Sequence, residues 1–154
     1  MPLYLVRHGK AGSRHDWKGP DGRRPLSKKG RRQAEALVDL LADGGATAVY
    51  SSPSLRCVQT VQPLADKLGL AVEPKPELAE GTARSEVAEF VGGLLSTTAV
   101  LCTHGDMMPK ILEAMAADHG LDLPRDYPCA KAATWEVATN GTGALTARYL
   151  PPPK

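Results

Sequence analysis

Residues 3–9 read Leu3-Tyr4-Leu5-Val6-Arg7-His8-Gly9, four apolar residues followed by a cation, an imidazole and a glycine. An apolar run this short, bounded by turn residues, is typical of a buried strand. In open α/β sheets, ligands bind beyond the carboxyl ends of the strands. The stretch therefore predicts a buried first strand with Arg7 and His8 at its functional end.

The same pattern, an apolar run followed by polar residues, recurs twice. Residues 46–51 precede Ser52-Pro53, and residues 99–102 precede Thr103-His104-Gly105. Elsewhere apolar residues recur at helical spacing. These stripes comprise Ala34, Leu37, Val38 and Leu41; Cys57, Val61, Leu64 and Leu68; Val87, Phe90, Val91 and Leu94; and Met108, Ile111, Leu112 and Met115. The alternation predicts an α/β fold of three layers, with helices on both faces of a mostly parallel sheet.

Capping residues indicate where the helices begin. Ser27 is a candidate N-cap of the first helix and Asp106 of the last. Ser52 is a candidate N-cap of the second helix, with Pro53 in its first turn. Pro63 is expected to kink or break that helix, because proline lacks the N–H that the helix ladder needs.

The end of the chain carries a hairpin signal. Asn140-Gly141 lies between two apolar runs, residues 132–137 and 144–149. Asn-Gly pairs favour the tight turns that join antiparallel strands. The sheet is therefore expected to be mixed, with antiparallel pairing at this end.

Length and composition indicate one ordinary globular domain. The chain has 154 residues, of which 42% are hydrophobic and 23% charged, so we expect a single domain over residues 1–154. The apolar runs are far shorter than the roughly 18 residues of a membrane span, and the N-terminus lacks a signal-peptide pattern. These features predict a cytoplasmic protein with no membrane partner.

The cysteines do not suggest a metal or a disulfide framework. Cys57, Cys102 and Cys129 are an odd number and include no Cys-x-x-Cys pair. No His, Cys, Asp and Glu spacing matches a metal site. We expect buried thiols, no metal and no cofactor.

Positive charge is concentrated near the N-terminus. Residues 7–32 hold 10 basic and 2 acidic residues, whereas the rest of the chain holds 9 basic and 15 acidic ones. Such a region attracts anions. Its only aromatic residue is Trp17, whereas proteins that bind nucleic-acid strands use several stacking platforms. The pattern favours a phosphorylated small molecule or a phosphorylated protein over nucleic acid.

The residues at the strand ends are those that phosphoryl transfer requires. A neutral imidazole such as His8 can attack phosphorus through one ring nitrogen while a backbone carbonyl, that of Gly9 being a candidate, holds the proton on the other. Arg7 and Arg56 can each bind phosphate oxygens through two hydrogen bonds. His104 can donate a further hydrogen bond, best when it is protonated.

Three further side chains are candidates for proton transfer or substrate contact. Glu80, in the loop Glu77-Leu78-Ala79-Glu80-Gly81, can protonate an alkoxide leaving group. His15 and Lys18 lie in the loop of residues 10–25, which is rich in glycine, proline and charge and is long enough to be functional. They are candidate substrate contacts, as is the backbone at Gly9.

Four blocks of sequence, in order, resemble the histidine phosphatases. They are Leu5-Val6-Arg7-His8-Gly9-Lys10-Ala11; Arg24-Pro25-Leu26-Ser27 with Gly30-Arg31-Arg32-Gln33-Ala34; Ser51-Ser52-Pro53 with Arg56 and Gln59-Thr60; and Thr103-His104-Gly105-Asp106. The resemblance implies a phosphoglycerate mutase-like fold and a phosphate pocket of Arg7, His8, Arg56 and His104. The short chain looks most like the phosphohistidine phosphatase branch called SixA-like.

Two alternatives to a phosphohistidine phosphatase stay open. Residues 15–21 are similar to the phosphatase domain joined to Nudix hydrolases in some actinobacterial proteins, which raises nucleotides or other small phosphoesters as substrates and a Nudix hydrolase as a partner. The same pocket can also serve a non-catalytic module that binds phosphoproteins. The leading expectation is a metal-independent phosphohydrolase that forms phosphohistidine at His8 and acts on phosphohistidine proteins.

Overall fold

The computed structural model describes residues 1–154 and contains one six-stranded sheet with four α-helices. The strands are β1 (Leu3–Arg7), β2 (Ala48–Ser51), β3 (Val72–Pro74), β4 (Ala99–Thr103), β5 (Thr134–Thr139) and β6 (Leu145–Leu150). The helices are α1 (Lys28–Leu41), α2 (Leu55–Leu68), α3 (Arg84–Gly92) and α4 (Met107–His119). Short 3-10 turns cover Asp21–Arg23, Ala42–Gly44 and Pro76–Leu78.

The sheet is mixed, as the sequence predicts. Its strand order is β3-β2-β4-β1-β5-β6. The first four strands pair in parallel, and β5 and β6 are antiparallel. Strands β1 and β4 are therefore central neighbours, and Arg7 is in register with Thr103 at their carboxyl ends. This pairing brings the two predicted strand-end motifs together.

Alternating side chains of the central strands divide the hydrophobic core in two. In β1, Leu3 and Leu5 pack with α3 and α4, whereas Tyr4 and Val6 pack with α1 and α2. Because successive strand side chains point to opposite faces, a strand covered on both faces must be apolar throughout. The result is the three-layer α/β arrangement that the sequence predicts.

The helix boundaries confirm the capping prediction at Ser27 and correct the one at Ser52. Ser27 caps α1, and its side chain accepts a hydrogen bond from the Gly30 N–H. Helix α2 begins at Leu55 after Ser54, so the prediction of a start at Ser52 and Pro53 was wrong. The Ser52 hydroxyl is instead 2.8 Å from Nε2 of His104, a partner that a local capping pattern does not reveal.

Two further details differ from expectation. Helix α2 continues through Pro63 without a break, because Val61 and Leu64 on either side are fully buried and hold it against the sheet. The predicted hairpin is present, but its connection is five residues long, and the residue with positive φ is Gly143 rather than Gly141.

Two thiols are buried and one is not. Cys57 and Cys102 are fully buried, as expected, whereas Cys129 is only partly buried. None of the helices combines the length and the apolar character that a membrane crossing requires.

Helix α1 lies against the chain segment that follows β1 at a glycine. A Cβ added at Gly30 would lie 2.0 Å from the backbone oxygen of Lys10. We expect Gly30→Ala to lower the free energy of unfolding by roughly 1–3 kcal/mol or more through overpacking, although alanine favours helices by about 1 kcal/mol. Urea unfolding measures the change. Gly141→Ala, where no atom lies within 4 Å, is the control, and equal stability of the two variants would contradict the prediction.

Candidate active site

The carboxyl ends of β1 and β4 open into a polar pocket of about 620 Å³. All five residues predicted to carry the chemistry line this pocket. The lining residues are Arg7, His8, Lys10, Ala11, Gly12, Ser13, Arg14, Arg24, Arg56, Glu80, His104, Gly105, Asp106 and Lys131. Ala11 is the only hydrophobic residue in this set, so the pocket is built to hold a charged ligand.

His8 is held in one orientation by its own backbone. Its Nδ1 lies 2.8 Å from the carbonyl oxygen of Gly9. A carbonyl can only accept, so this contact assigns the imidazole proton to Nδ1 and leaves the Nε2 lone pair free. The Gly9 N–H donates to Oγ1 of Thr60 at 2.9 Å, and the His8 N–H donates to the Thr103 carbonyl at 3.0 Å. The predicted role of the Gly9 carbonyl thus agrees with the geometry.

Burial and surrounding charge keep the imidazole of His8 neutral. Burial lowers its pKa to about 4, and the charges of His104, Arg56 and Arg7 act in the same direction. The hydrogen bond to Gly9 opposes the shift but is outweighed. A neutral imidazole retains the lone pair that a nucleophile needs.

Arg7 is fixed between two backbone segments. Its Nη1 donates to the Cys129 carbonyl at 2.7 Å, and its guanidinium lies so close to Gly105 that a Cβ there would be 2.7 Å from Cζ. The Nε of Arg7 is buried and has no hydrogen-bond partner. A buried donor without a partner costs about 1–3 kcal/mol, which a phosphate oxygen would recover.

Arg56 comes from the first turn of α2 and is almost fully buried. Its Nη1 donates to the Asp21 backbone oxygen at 3.0 Å, and its Nη2 donates to Oδ2 of Asp21 at 3.1 Å. Its Nε, like that of Arg7, is buried and has no partner. The pocket therefore holds two unsatisfied arginine donors, which suits an oxyanion.

His104 completes the group beside His8. The two imidazole rings meet edge to face, with centroids 5.5 Å apart. Nδ1 of His104 lies 3.4 Å from Nη2 of Arg56, and a guanidinium can only donate, so Nδ1 accepts and Nε2 donates to Ser52. Donation from Nδ1 to a phosphate then requires a second proton on the ring, in keeping with the prediction that His104 stabilises phosphate best when protonated.

Glu80 lies at the mouth of the pocket. Its Oε2 is 3.6 Å from Nη2 of Arg56, its Oε1 is 3.8 Å from Nη2 of Arg14, and its side chain is 50% exposed. The loop is held by Asp106, whose Oδ2 accepts the Gly81 N–H at 2.9 Å. Asp106 precedes α4, but its side chain makes no capping hydrogen bond, so that prediction was wrong because the carboxylate binds Gly81 instead.

Three predicted substrate contacts do not line the pocket. His15 and Lys18 are exposed and lie outside it. Gly9 also lies outside the lining, and its N–H and carbonyl are used to position Thr60 and His8. The structure does not bring these three residues to the lining of the pocket.

Sequence reasoning missed Asp21, the carboxylate that faces Arg56. Burial raises its pKa, but the hydrogen bond from Arg24 and the charges of Arg56, Arg24 and Arg14 lower the pKa below its ordinary value. Asp21 therefore stays ionised, and its carboxylate accepts a hydrogen bond from Nη2 of the Arg56 guanidinium. No local sequence signal marks it, because the contact depends on how the loop of residues 10–25 folds back.

The Asp21 carboxylate competes with any anion that binds Arg56. Two unit charges 4 Å apart interact by about 1 kcal/mol in water, so we expect Asp21→Asn to bind inorganic phosphate roughly three- to tenfold more tightly. Isothermal titration calorimetry measures the affinity, with Asp43→Asn as the control. Weaker binding by Asp21→Asn would instead mean that the charge chiefly holds Arg56 in place.

The protonation state of His8 can be observed directly. Because its pKa is about 4, we expect its imidazole to remain neutral between pH 7 and pH 5 and to gain a proton only as the pH falls through about 4. Nitrogen NMR of the histidines follows this titration, and His8→Asn assigns the signal. A midpoint near the ordinary value of about 6.5 would contradict the burial and charge argument.

Comparisons with known proteins agree with this geometry. A sequence model described as histidine phosphatase superfamily (branch 1) matches residues 3–89. The 8-oxo-(d)GTP phosphatase of Mycolicibacterium smegmatis is 36% identical over 98% of this chain and 48% of its own length. This chain thus spans about half the length of that relative.

Solved structures share the fold. The protein histidine phosphatase SixA complexed with tungstate has a TM-score of 0.77 at 22% identity, over 99% of this chain and 97% of that one. A mycobacterial glucosyl-3-phosphoglycerate phosphatase has a TM-score of 0.73 at 18% identity, over 96% of both chains. The predicted phosphoglycerate mutase-like fold is confirmed. No group of three or more His, Cys, Asp or Glu side chains is arranged to hold a metal ion.

Proposed function

The chain belongs to the histidine phosphatase superfamily, and we propose that it hydrolyses phosphorylated substrates through a covalent phosphohistidine on His8. The observation that carries the proposal is the state of His8. Its Nδ1 is bound to the Gly9 carbonyl, and its free Nε2 shares a pocket with two arginines whose buried Nε atoms have no partner.

In the first step, Nε2 of His8 attacks phosphorus and a nitrogen–phosphorus bond forms. The bond between phosphorus and the leaving group breaks, and its electron pair stays with the leaving group, which takes a proton from Glu80. Arg7 and Arg56 neutralise the equatorial oxygens, where charge accumulates in such transition states. No metal is required in this scheme.

In the second step, water attacks phosphorus and the nitrogen–phosphorus bond breaks. Its electron pair returns to Nε2 of His8, and the Glu80 carboxylate accepts the water proton. Glu80 is paired with Arg56 and Arg14 at the mouth of the pocket. A phosphoryl group bound in the pocket competes for these arginines, which frees the Glu80 side chain for proton transfer to the leaving group and from water.

For the substrate, we propose a nucleotide or a related small phosphate compound. The support is the relative named 8-oxo-(d)GTP phosphatase, whose likeness extends over 98% of this chain. A Nudix hydrolase is a proposed partner on the resemblance of residues 15–21 alone.

A phosphohistidine protein is the second candidate substrate, and it was the one that the sequence favoured. The pocket mouth supports it, because the Glu80 and Arg14 side chains there are 50% and 68% exposed, which leaves room for a phosphate carried on a protein surface. Phosphoryl transfer from one imidazole to another needs little assistance from an acid once the leaving ring is protonated.

Two variants test the catalytic roles proposed for His8 and Glu80. We expect His8→Ala to abolish phosphate release in the absence of metal, because no covalent intermediate can form.

We expect Glu80→Gln to lower kcat/KM by roughly 10²- to 10⁴-fold on an alkyl phosphate, the usual contribution of general acid–base catalysis, and to have a much smaller effect on a phosphohistidine protein. Glu77→Gln, outside the pocket, is the control.

The assay compares phosphate release from a nucleoside diphosphate, a nucleoside monophosphate, a sugar phosphate and a phosphohistidine protein. The substrate with the highest kcat/KM identifies the class. If the protein binds phosphate but shows no hydrolysis that depends on His8, the catalytic proposal is rejected and the phosphoprotein-binding module is supported.

A further inference from the structure

We propose that Lys10 and Lys131 form a second phosphate subsite beside His8, so that the pocket selects substrates with two adjacent phosphate groups. The inference rests on the proposed function, because it places the scissile phosphate at His8. It identifies the substrate class as a phosphoanhydride, such as a nucleoside diphosphate. Its recognition is assigned to two lining residues that are not among the four predicted phosphate ligands.

The arginines of the pocket form ion pairs or face the scissile phosphate, but no carboxylate is paired with these two lysines. Six lining residues are lysine or arginine. Arg7 and Arg56 carry the two buried Nε donors that suit the transferring group. The other two arginines are paired with Asp21, through its Oδ1, at 3.6 Å from Nε of Arg14 and 3.1 Å from Nε of Arg24.

No carboxylate is paired with either lysine. The acidic side chains that line the pocket or face its arginines, Glu80, Asp106 and Asp21, are engaged by arginines or by the Gly81 N–H. The ammonium groups of Lys10 and Lys131 make no ion pair within 4.0 Å, unlike Arg14, Arg24 and Arg56. Two unpaired ammonium groups therefore line the pocket, in addition to the residues that suffice to bind one phosphate.

The backbone at Lys131 is held at the end of β1 by the next residue, Ala132, whose backbone conformation is strained. Ala132, which follows it, has φ of 67° and is the only residue other than glycine with positive φ. The Ala132 N–H lies 3.0 Å from the Arg7 carbonyl and 3.1 Å from that of His8. This conformation costs alanine roughly 1–2 kcal/mol, and such strain is commonly retained at functional sites. It fixes the backbone of Lys131 beside His8.

The backbone of Lys10, two residues after His8, is also held by hydrogen bonds. Its N–H donates to Oε1 of Gln33 at 2.9 Å. Its carbonyl accepts the Ser27 N–H at 2.9 Å and the Ser27 hydroxyl at 3.0 Å. Both lysines therefore extend from backbone that is held in place, although their side chains are exposed. Their positions reflect the backbone of the site and not a flexible surface loop.

Pocket size and composition indicate what the second group is. A pocket of about 620 Å³ is of the size that binds whole cofactors or nucleotides, typically 300–1,000 Å³. No Phe, Tyr or Trp lines it, so it offers no platform on which a base can stack. The lining therefore recognises the group beyond the scissile phosphate through charge and hydrogen bonds, and a second phosphate is the group that two lysines bind.

Equilibrium binding tests the subsite without turnover. The probes are methylphosphonate and methylenediphosphonate, measured by calorimetry in about 0.1 M salt with a chelator, because screening changes with ionic strength. We expect the diphosphonate to bind the unmodified protein at least tenfold more tightly, which corresponds to 1.4 kcal/mol. Lys10→Met and Lys131→Met should each reduce that margin by roughly three- to tenfold and change methylphosphonate binding less than twofold.

Lys67→Met, at the end of α2 and outside the pocket, is the matched control and should behave like the unmodified protein. Equal affinity for the two probes, or lysine variants that weaken both probes alike, would overturn the subsite.

Turnover distinguishes failure of the subsite from failure of the proposed function. If His8→Ala abolishes hydrolysis but the diphosphonate binds no better than the monophosphonate, the function holds and the subsite is rejected. If the diphosphonate preference depends on Lys10 and Lys131 but no hydrolysis depends on His8, the subsite holds and the catalytic proposal is rejected. Where both hold, the two lysine variants should raise KM for a nucleoside diphosphate far more than they lower kcat.

Discussion

The hydrogen bond of 2.8 Å between Nδ1 of His8 and the Gly9 carbonyl constrains the whole site. It can form only if Gly9 turns its carbonyl toward the ring, and the N–H of the same residue is held by Thr60. Thr60 in turn donates to the Arg56 carbonyl at 2.7 Å. One continuous set of hydrogen bonds therefore fixes both the nucleophile and the arginine that faces its phosphate.

Close packing around Gly9 completes this constraint. A Cβ at that position would lie 3.2 Å from both the Gly30 carbonyl and Oε1 of Gln33. Gln33 of the same region and the N-cap residue Ser27 both form hydrogen bonds with the backbone of Lys10. Helix α1 thus supports residues 8–10 through Gly30, Gln33 and its N-cap Ser27.

The sequence predicts the parts of the site that depend on local pattern. Apolar strands that end in Arg7-His8 and Thr103-His104 must meet if the strands are parallel neighbours, and β1 and β4 are. Features that depend on long-range contacts were missed. Ser52 and Asp106 are typical capping residues, but they bind His104 and Gly81, which are far away in sequence. The positive φ of Ala132 has no sequence signal, because it follows from contacts with β1.

The balance of charge explains how a buried cation can stay ready for its ligand. The Arg56 side chain is only 1% exposed, whereas the Asp21 and Glu80 side chains that face it are 42% and 50% exposed. A buried arginine needs a counter-ion, since an unpaired buried charge is costly. Because both carboxylates are partly exposed, water can solvate them when they leave Arg56. An arriving phosphate can therefore replace them while Arg56 stays where it is, and this spares the site the reorganisation that would weaken stabilisation of the transition state.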